Sequence, residues 1–133
     1  MPNRKKIKIS LIMALSLVIT ILSPAQALAP KLEIKQVHLA IALQKPKTYA
    51  QIAMRKYNWG VKQAKCLNAL WGKESAWNRH ADNPVSTAFG IAQLLGETSI
   101  NPVKQINNGL RYIQHRYDTP CEAWKFWQRN KWY

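Results

Sequence analysis

Asn101-Pro102-Val103-Lys104-Gln105-Ile106-Asn107-Asn108-Gly109-Leu110-Arg111-Tyr112-Ile113-Gln114-His115-Arg116-Tyr117 reads as a helix. Asn101 supplies an N-cap oxygen, Pro102 suits the first helical position, and Val103, Ile106, Leu110, Ile113 and Tyr117 recur on one face. Immediately downstream, Thr119-Pro120-Cys121-Glu122 has capping-box spacing with proline in the first turn, so a further helix begins there and presents Trp124 and Trp127. Upstream, Ala64, Leu67, Leu70 and Trp71 keep helical spacing up to Lys73-Glu74, which places Glu74 at a helix end. Thr48 is placed to cap a shorter helix through Lys56, with Asn58-Trp59-Gly60 as its stop and turn. Between Asn78 and Gly90, Asp82-Asn83-Pro84 and Ser86-Thr87 mark a loop, after which Ile91 to Leu95 fit one short helix. The pattern implies an all-α (mainly α) domain over residues 48–133, with short connections, no internal repeat and no low-complexity tract.

The front of the chain has a different character. Arg4, Lys5, Lys6 and Lys8 precede an uncharged stretch from Ile9 to Leu22, followed by Ser23-Pro24 and Ala25-Gln26-Ala27. These are the basic, apolar and small-residue regions of a signal peptide, here residues 1–27, with cleavage after Ala27. The alternative, a membrane anchor, needs about 18 to 20 apolar residues, and this stretch is shorter and ends at Pro24. Cleavage after Ala29 would leave Pro30 directly beyond the cut. Of 133 residues, roughly 100 then remain, enough for one core. Residues 28–47 read as a connecting segment bracketed by Pro30 and Pro46. Val37, Leu39, Ile41 and Leu43 alternate like a strand there, although a helix from Leu32 onward fits too.

Export to an oxidising compartment favours a disulfide between Cys66 and Cys121, the alternative being two separate buried thiols; two thiols alone are too few for a structural zinc site. A loop of about 55 residues closed in this way would stabilise the fold by about 4 kcal/mol in the chain-entropy model. Twenty basic residues face six acidic ones, a formal charge of +14, and loss of the four leader cations takes it to +10. A polyanionic partner is implied. For a secreted chain that means the anionic polymers of a cell envelope, and no helix-turn-helix, zinc or RNA-binding signature points to nucleic acid.

With so few acids, each can be weighed. Glu33 lies in the connecting segment, Asp82 in a turn, Glu97 in an exposed loop, Asp118 at a helix end, and Glu122 in a capping box. Glu74 differs, because it continues an apolar helical face and has Trp71, Ser75 and Trp77 around it. Burial against aromatic rings would raise its pKa and keep it protonated, which is what a general acid in glycosidic cleavage requires.

A wider pattern surrounds it: Glu74-Ser75, Trp77-Asn78, Ala81, Asn83-Pro84 and Ala88-Phe89-Gly90-Ile91-Ala92-Gln93. It continues through Asn101-Pro102, Ile106, Gly109, Tyr112-Ile113 and Arg116-Tyr117, and closes with Pro120-Cys121, Ala123-Trp124, Trp127 and Trp132-Tyr133. In order and spacing this resembles the soluble lytic transglycosylase domain family, from Cys66 to Tyr133. The resemblance implies a small lysozyme-like helical domain that cuts peptidoglycan glycan strands. Glu74 would be the acid and then the base, protonating the oxygen between N-acetylmuramic acid and N-acetylglucosamine. It would then take the proton of the muramyl 6-hydroxyl as that oxygen closes on its own anomeric carbon. One carboxylate serves both steps, whereas the hydrolytic scheme uses two.

The same resemblance puts Gln93 in the substrate cleft, Ser75 beside Glu74 or the sugar, and Tyr112 facing the cleft. Trp124 stands where the family commonly has the tyrosine of an Ala-Tyr-Asn sequence, since this chain has Ala123-Trp124-Lys125. Sugar stacking and core packing are both open to Trp77, Phe89 and Trp124. His38, His80 and His115 form no metal signature, and neither a nucleophile elbow nor a phosphate loop occurs, so no metal or cofactor is implied. The expectation is a secreted, wall-associated monomeric lyase. A hydrolase using Asp82 or Glu97 to position water, and a cationic wall-binding protein without catalysis, are the rivals.

Overall fold

The computed structural model describes residues 24–133, with side chains from residue 30 onward. The expected leader therefore lies outside the described residues except for its last four positions. Among the described residues five α-helices follow one another: α1 (Pro24–Gln44), α2 (Pro46–Met54), α3 (Val61–Glu74), α4 (Pro102–Tyr117) and α5 (Pro120–Asn130). A single 3₁₀ turn, Arg55–Tyr57, extends α2, and a hairpin of two short strands, β1 (Ala88–Phe89) and β2 (Leu94–Leu95), lies between α3 and α4. The chain is mainly helical, and Cys66 is bonded to Cys121.

The helices form where apolar residues recur at helical spacing. Leu67, Leu70 and Trp71 of α3 and Ile106, Leu110 and Ile113 of α4 are buried in one cluster with Met54 of α2 and Ala123 of α5. Each fully buried aliphatic side chain contributes about 1.5 to 3 kcal/mol, and the shared cluster is what selects this packing. Gly109 lets α4 approach closely: a Cβ there would overlap the Trp71 ring and the Ala92 side chain.

Asn101 Oδ1 accepts from Val103 N at 2.9 Å and Pro102 opens α4, as the sequence implies. Thr119 Oγ1 accepts from Glu122 N at 3.3 Å, so half of the capping box at α5 is made. The Glu122 carboxylate instead lies 3.8 Å from Lys125 Nζ. Asn58 takes a left-handed φ of 57° and stops the second helical segment where expected.

Two expectations are corrected. Thr48 does not cap the second helix, because Pro46 already supplies its first turn and Lys45 is the cap residue. Ile91–Leu95 is not a helix: Ala88 and Phe89 pair with Leu95 and Leu94, and Gly90 and Gln93 turn the chain at φ 76° and 49°. In residues 28–47 the helical alternative holds. His38, Ile41 and Ala42, at helical spacing, face α2 and the core, with Ala42 buried and the His38 ring 5.5 Å from Tyr49. The alternating Val37, Leu39 and Leu43 are exposed.

Candidate active site

Glu74 is the last residue of α3. The helix stops there without a glycine. Ser75 N still bonds to Trp71 O, but Ala76 and Trp77 adopt left-handed φ of 51° and 65°, a region costly for residues with a Cβ. Ser75 supports the turn. Its Oγ accepts from Trp77 N at 3.1 Å and donates to Ile91 O at 2.6 Å, which ties the helix end to the hairpin. The turn sends Trp77 back into the core, where it is buried edge-on to Trp71 at 5.1 Å.

The Glu74 carboxyl group is half-buried, and its Oε1 accepts from Trp127 Nε1 at 2.5 Å. Burial raises the Glu74 pKa above its ordinary value, while the indole N–H pulls in the opposite direction by favouring the charged form. Trp127 is itself stacked on Trp124, with ring centres 5.2 Å apart and planes 16° from parallel. Both belong to α5, which the disulfide pins to α3.

Tyr133 completes the wall beside the acid. Its hydroxyl accepts from Trp71 Nε1 at 2.8 Å and donates to Ala92 O at 2.6 Å. Burial of that hydroxyl, opposed by the Trp71 N–H and reinforced by the Glu74 carboxylate, holds its pKa well above the usual phenol range. The Tyr112 ring sits edge-on to Tyr133 at 5.6 Å. On α4 it also lines a concavity of about 460 Å³ with Leu94, Leu95, Glu97, Asn108 and Arg111. Glu74 and Tyr133 are not among its lining residues.

Of the residues expected at the site, Trp124 and Tyr112 therefore join Glu74 through intervening rings. Ser75, Gln93 and Phe89 are committed to the hairpin. Gln93 Nε2 donates to Ala81 O and Gly90 O, both at 3.0 Å, and Phe89 lies half-buried in β1, pairing with Leu94 and bridging to Asp82. Glu97, expected in an exposed loop, is half-buried, and its two oxygens accept from Ser99 N and Asn108 Nδ2, each at 2.8 Å. No trio of His, Cys, Asp or Glu among the described residues is placed to hold a metal ion.

Two contributors went unmarked in the sequence. One is Trp127 as the hydrogen-bond partner of Glu74. The other is Gln105, which is buried in α4. Its Nε2 donates to Arg79 O at 2.9 Å and Ser99 O at 2.6 Å, and its Oε1 accepts from Ile91 N at 3.0 Å. Gly90 is needed beside it, because its φ is positive and a Cβ would overlap the Gln105 amide. Comparison of the chain with protein-family models, curated proteins and solved structures finds no match.

Proposed function

We propose that this protein is a secreted peptidoglycan lytic transglycosylase with Glu74 as general acid and then general base. The observation that carries the reading is the half-buried Glu74 carboxyl group at the end of α3, bonded to an indole and raised in pKa by burial. Such a group is protonated closer to neutral pH than a solvated glutamate and can deliver its proton to a glycosidic oxygen. No other carboxylate contributes to its shift, and Glu97 is held by its own two donors. A single acid acting in both steps suits intramolecular closure to a 1,6-anhydro sugar better than hydrolysis, which needs a second carboxylate to activate water. Trp124, beside Trp127, and Tyr112, on the wall of the concavity, supply aromatic surface for sugar rings. Ser75, Phe89 and Gln93 would act on the substrate through the hairpin they hold in place after Glu74. The charge of +10 that remains of +14 once Arg4, Lys5, Lys6 and Lys8 leave with the leader favours retention on anionic wall polymers.

The test is digestion of purified peptidoglycan by the disulfide-intact protein, with products read by mass spectrometry beside Glu74→Gln. Anhydro-muramyl ends, about 18 Da lighter than hydrolysed ends, should form and should be absent with the variant. Hydrolysed reducing ends would instead make the protein a muramidase. Wall binding without any Glu74-dependent product would make it a cationic binding protein.

A further inference from the structure

An indole N–H has a hydrogen to give and no lone pair with which to receive one. Since Trp127 Nε1 donates to Glu74 Oε1, that oxygen is an acceptor in both charge states of the carboxyl group. When Glu74 is protonated, the hydrogen is favoured on Oε2, because a carbonyl oxygen accepts the indole N–H better than a hydroxyl oxygen does. We propose that Trp127 is the positioning residue of this site, confining the Glu74 proton to Oε2 so that one oxygen alone gives and takes protons. The assignment rests on the reading of Glu74 as the acid. In the first step the Oε2 proton passes to the glycosidic oxygen, which also keeps the electron pair of the breaking C1–O bond. In the second, Oε2 takes the proton of the muramyl 6-hydroxyl as that oxygen bonds to C1, and the carboxyl group is restored.

The indole is built to stay in place. It is stacked on Trp124 and lies under the Lys131 ammonium, 5.3 Å from its ring centre. Its helix is fixed to α3 by Cys66–Cys121. Its effect on the charge of Glu74 also opposes that of burial. A carboxyl group that must first be an acid and then a base needs both influences, because burial alone would weaken the second role. Other titratable and charged groups pack around this corner: Lys131, just past α5, over the Trp127 ring; the Tyr133 hydroxyl, which the Glu74 carboxylate influences; and Tyr112 and Tyr117 of α4 beside Tyr133, with Arg116 against their rings. None of them is hydrogen-bonded to Glu74 among the described residues.

The test follows the indole Nε1–H of Trp127 and the Glu74 carboxyl carbon by NMR in the full, disulfide-intact protein as pH is varied. The two signals should titrate with one midpoint, and the indole should lose that transition in Glu74→Gln. In Trp127→Phe the Glu74 midpoint should move up, because a donor to the charged form has been removed. The alkaline limb of the wall-digestion profile should move with it, and the rate at neutral pH should fall about tenfold. A merely packing role for Trp127 leaves both midpoints where they were. An indole signal indifferent to Glu74 ionisation, read on the unaltered protein even if Trp127→Phe does not fold, overturns the proposal. Coupled titration in a protein whose wall digestion survives Glu74→Gln would instead sink the transglycosylase reading and leave the pairing intact.

Discussion

The α3–α5 pair and the segment 75–100 both border Glu74, yet different forces hold them. The helices meet through buried apolar side chains and a covalent bond from Cys66 to Cys121. The segment between α3 and α4 buries Trp77, Ile91 and Ala92 in the same core, and adds a set of polar side chains reaching for backbone: Gln105 to Arg79, Ile91 and Ser99, Gln93 to Ala81 and Gly90, and Ser75 to Ile91. Apolar burial positions the acid. Directed hydrogen bonds fix the segment that follows it, where much of the backbone runs outside regular helix and sheet.

The largest effect should come from the covalent side. Replacing both cysteines by serine removes a cross-link closing a 55-residue separation, and should cost about 4 kcal/mol in urea unfolding. Under conditions where the variant stays folded, α5 amides should exchange faster than in the native protein while those of the hairpin change little. If the hairpin loosens as much as α5, the two regions are one cooperative unit and the contrast collapses.

The complementary change is Gln105→Leu. It keeps a side chain of similar length on α4 but leaves Ile91 N, Arg79 O and Ser99 O without their partners. The expected loss is about 3 kcal/mol, with faster exchange at Gly90, Ile91 and Gln93 and unchanged protection in α5. A loss under about 1 kcal/mol would mean that water replaces the amide readily, and that the hairpin is not held chiefly from α4.

These two changes mark what could be read in the chain. Periodic apolar residues reveal α3, α4 and α5, with Asn101 and Thr119 marking two of their starts, because burial repeats with the helical turn. The hairpin has no such period. Its turns rest on Gly90 and on Gln93 in a left-handed conformation, and Gln105 looks like any polar residue on an amphipathic helix until the fold buries it. Thr48 illustrates local ambiguity: its side chain suits a cap, but Pro46 two residues earlier is an equally good helix opener and wins. Glu74 is legible from its place after an apolar face. Trp127 becomes its partner only in three dimensions, although a hint exists. Two helices joined at Cys66 and Cys121 and running the same way bring residues about 12 and 9 Å further along into reach of each other.

The smallest effect concerns the pH dependence of stability, and it separates a site residue from a structural one. The folded-state pKa of Glu74 lies above its unfolded value because burial disfavours the carboxylate more than Trp127 favours it. Below the unfolded value both states carry the proton and the site imposes no penalty. As pH rises from there to the raised folded value, the unfolded chain releases its proton first, so stability declines through that window and stays lower above it. Glu74→Gln, neutral at every pH and still able to accept from Trp127, should remove this decline. Thermal unfolding of the two proteins should give coincident curves in acid and a more stable variant at neutral pH, by a modest margin because the carboxyl group is only half-buried. Greater stability in a variant that has lost wall digestion would identify Glu74 as a group the fold carries at a cost. A variant less stable at neutral pH would place the charged carboxylate among the interactions that hold α5 to α3, and would shift the contrast between the two regions toward electrostatics.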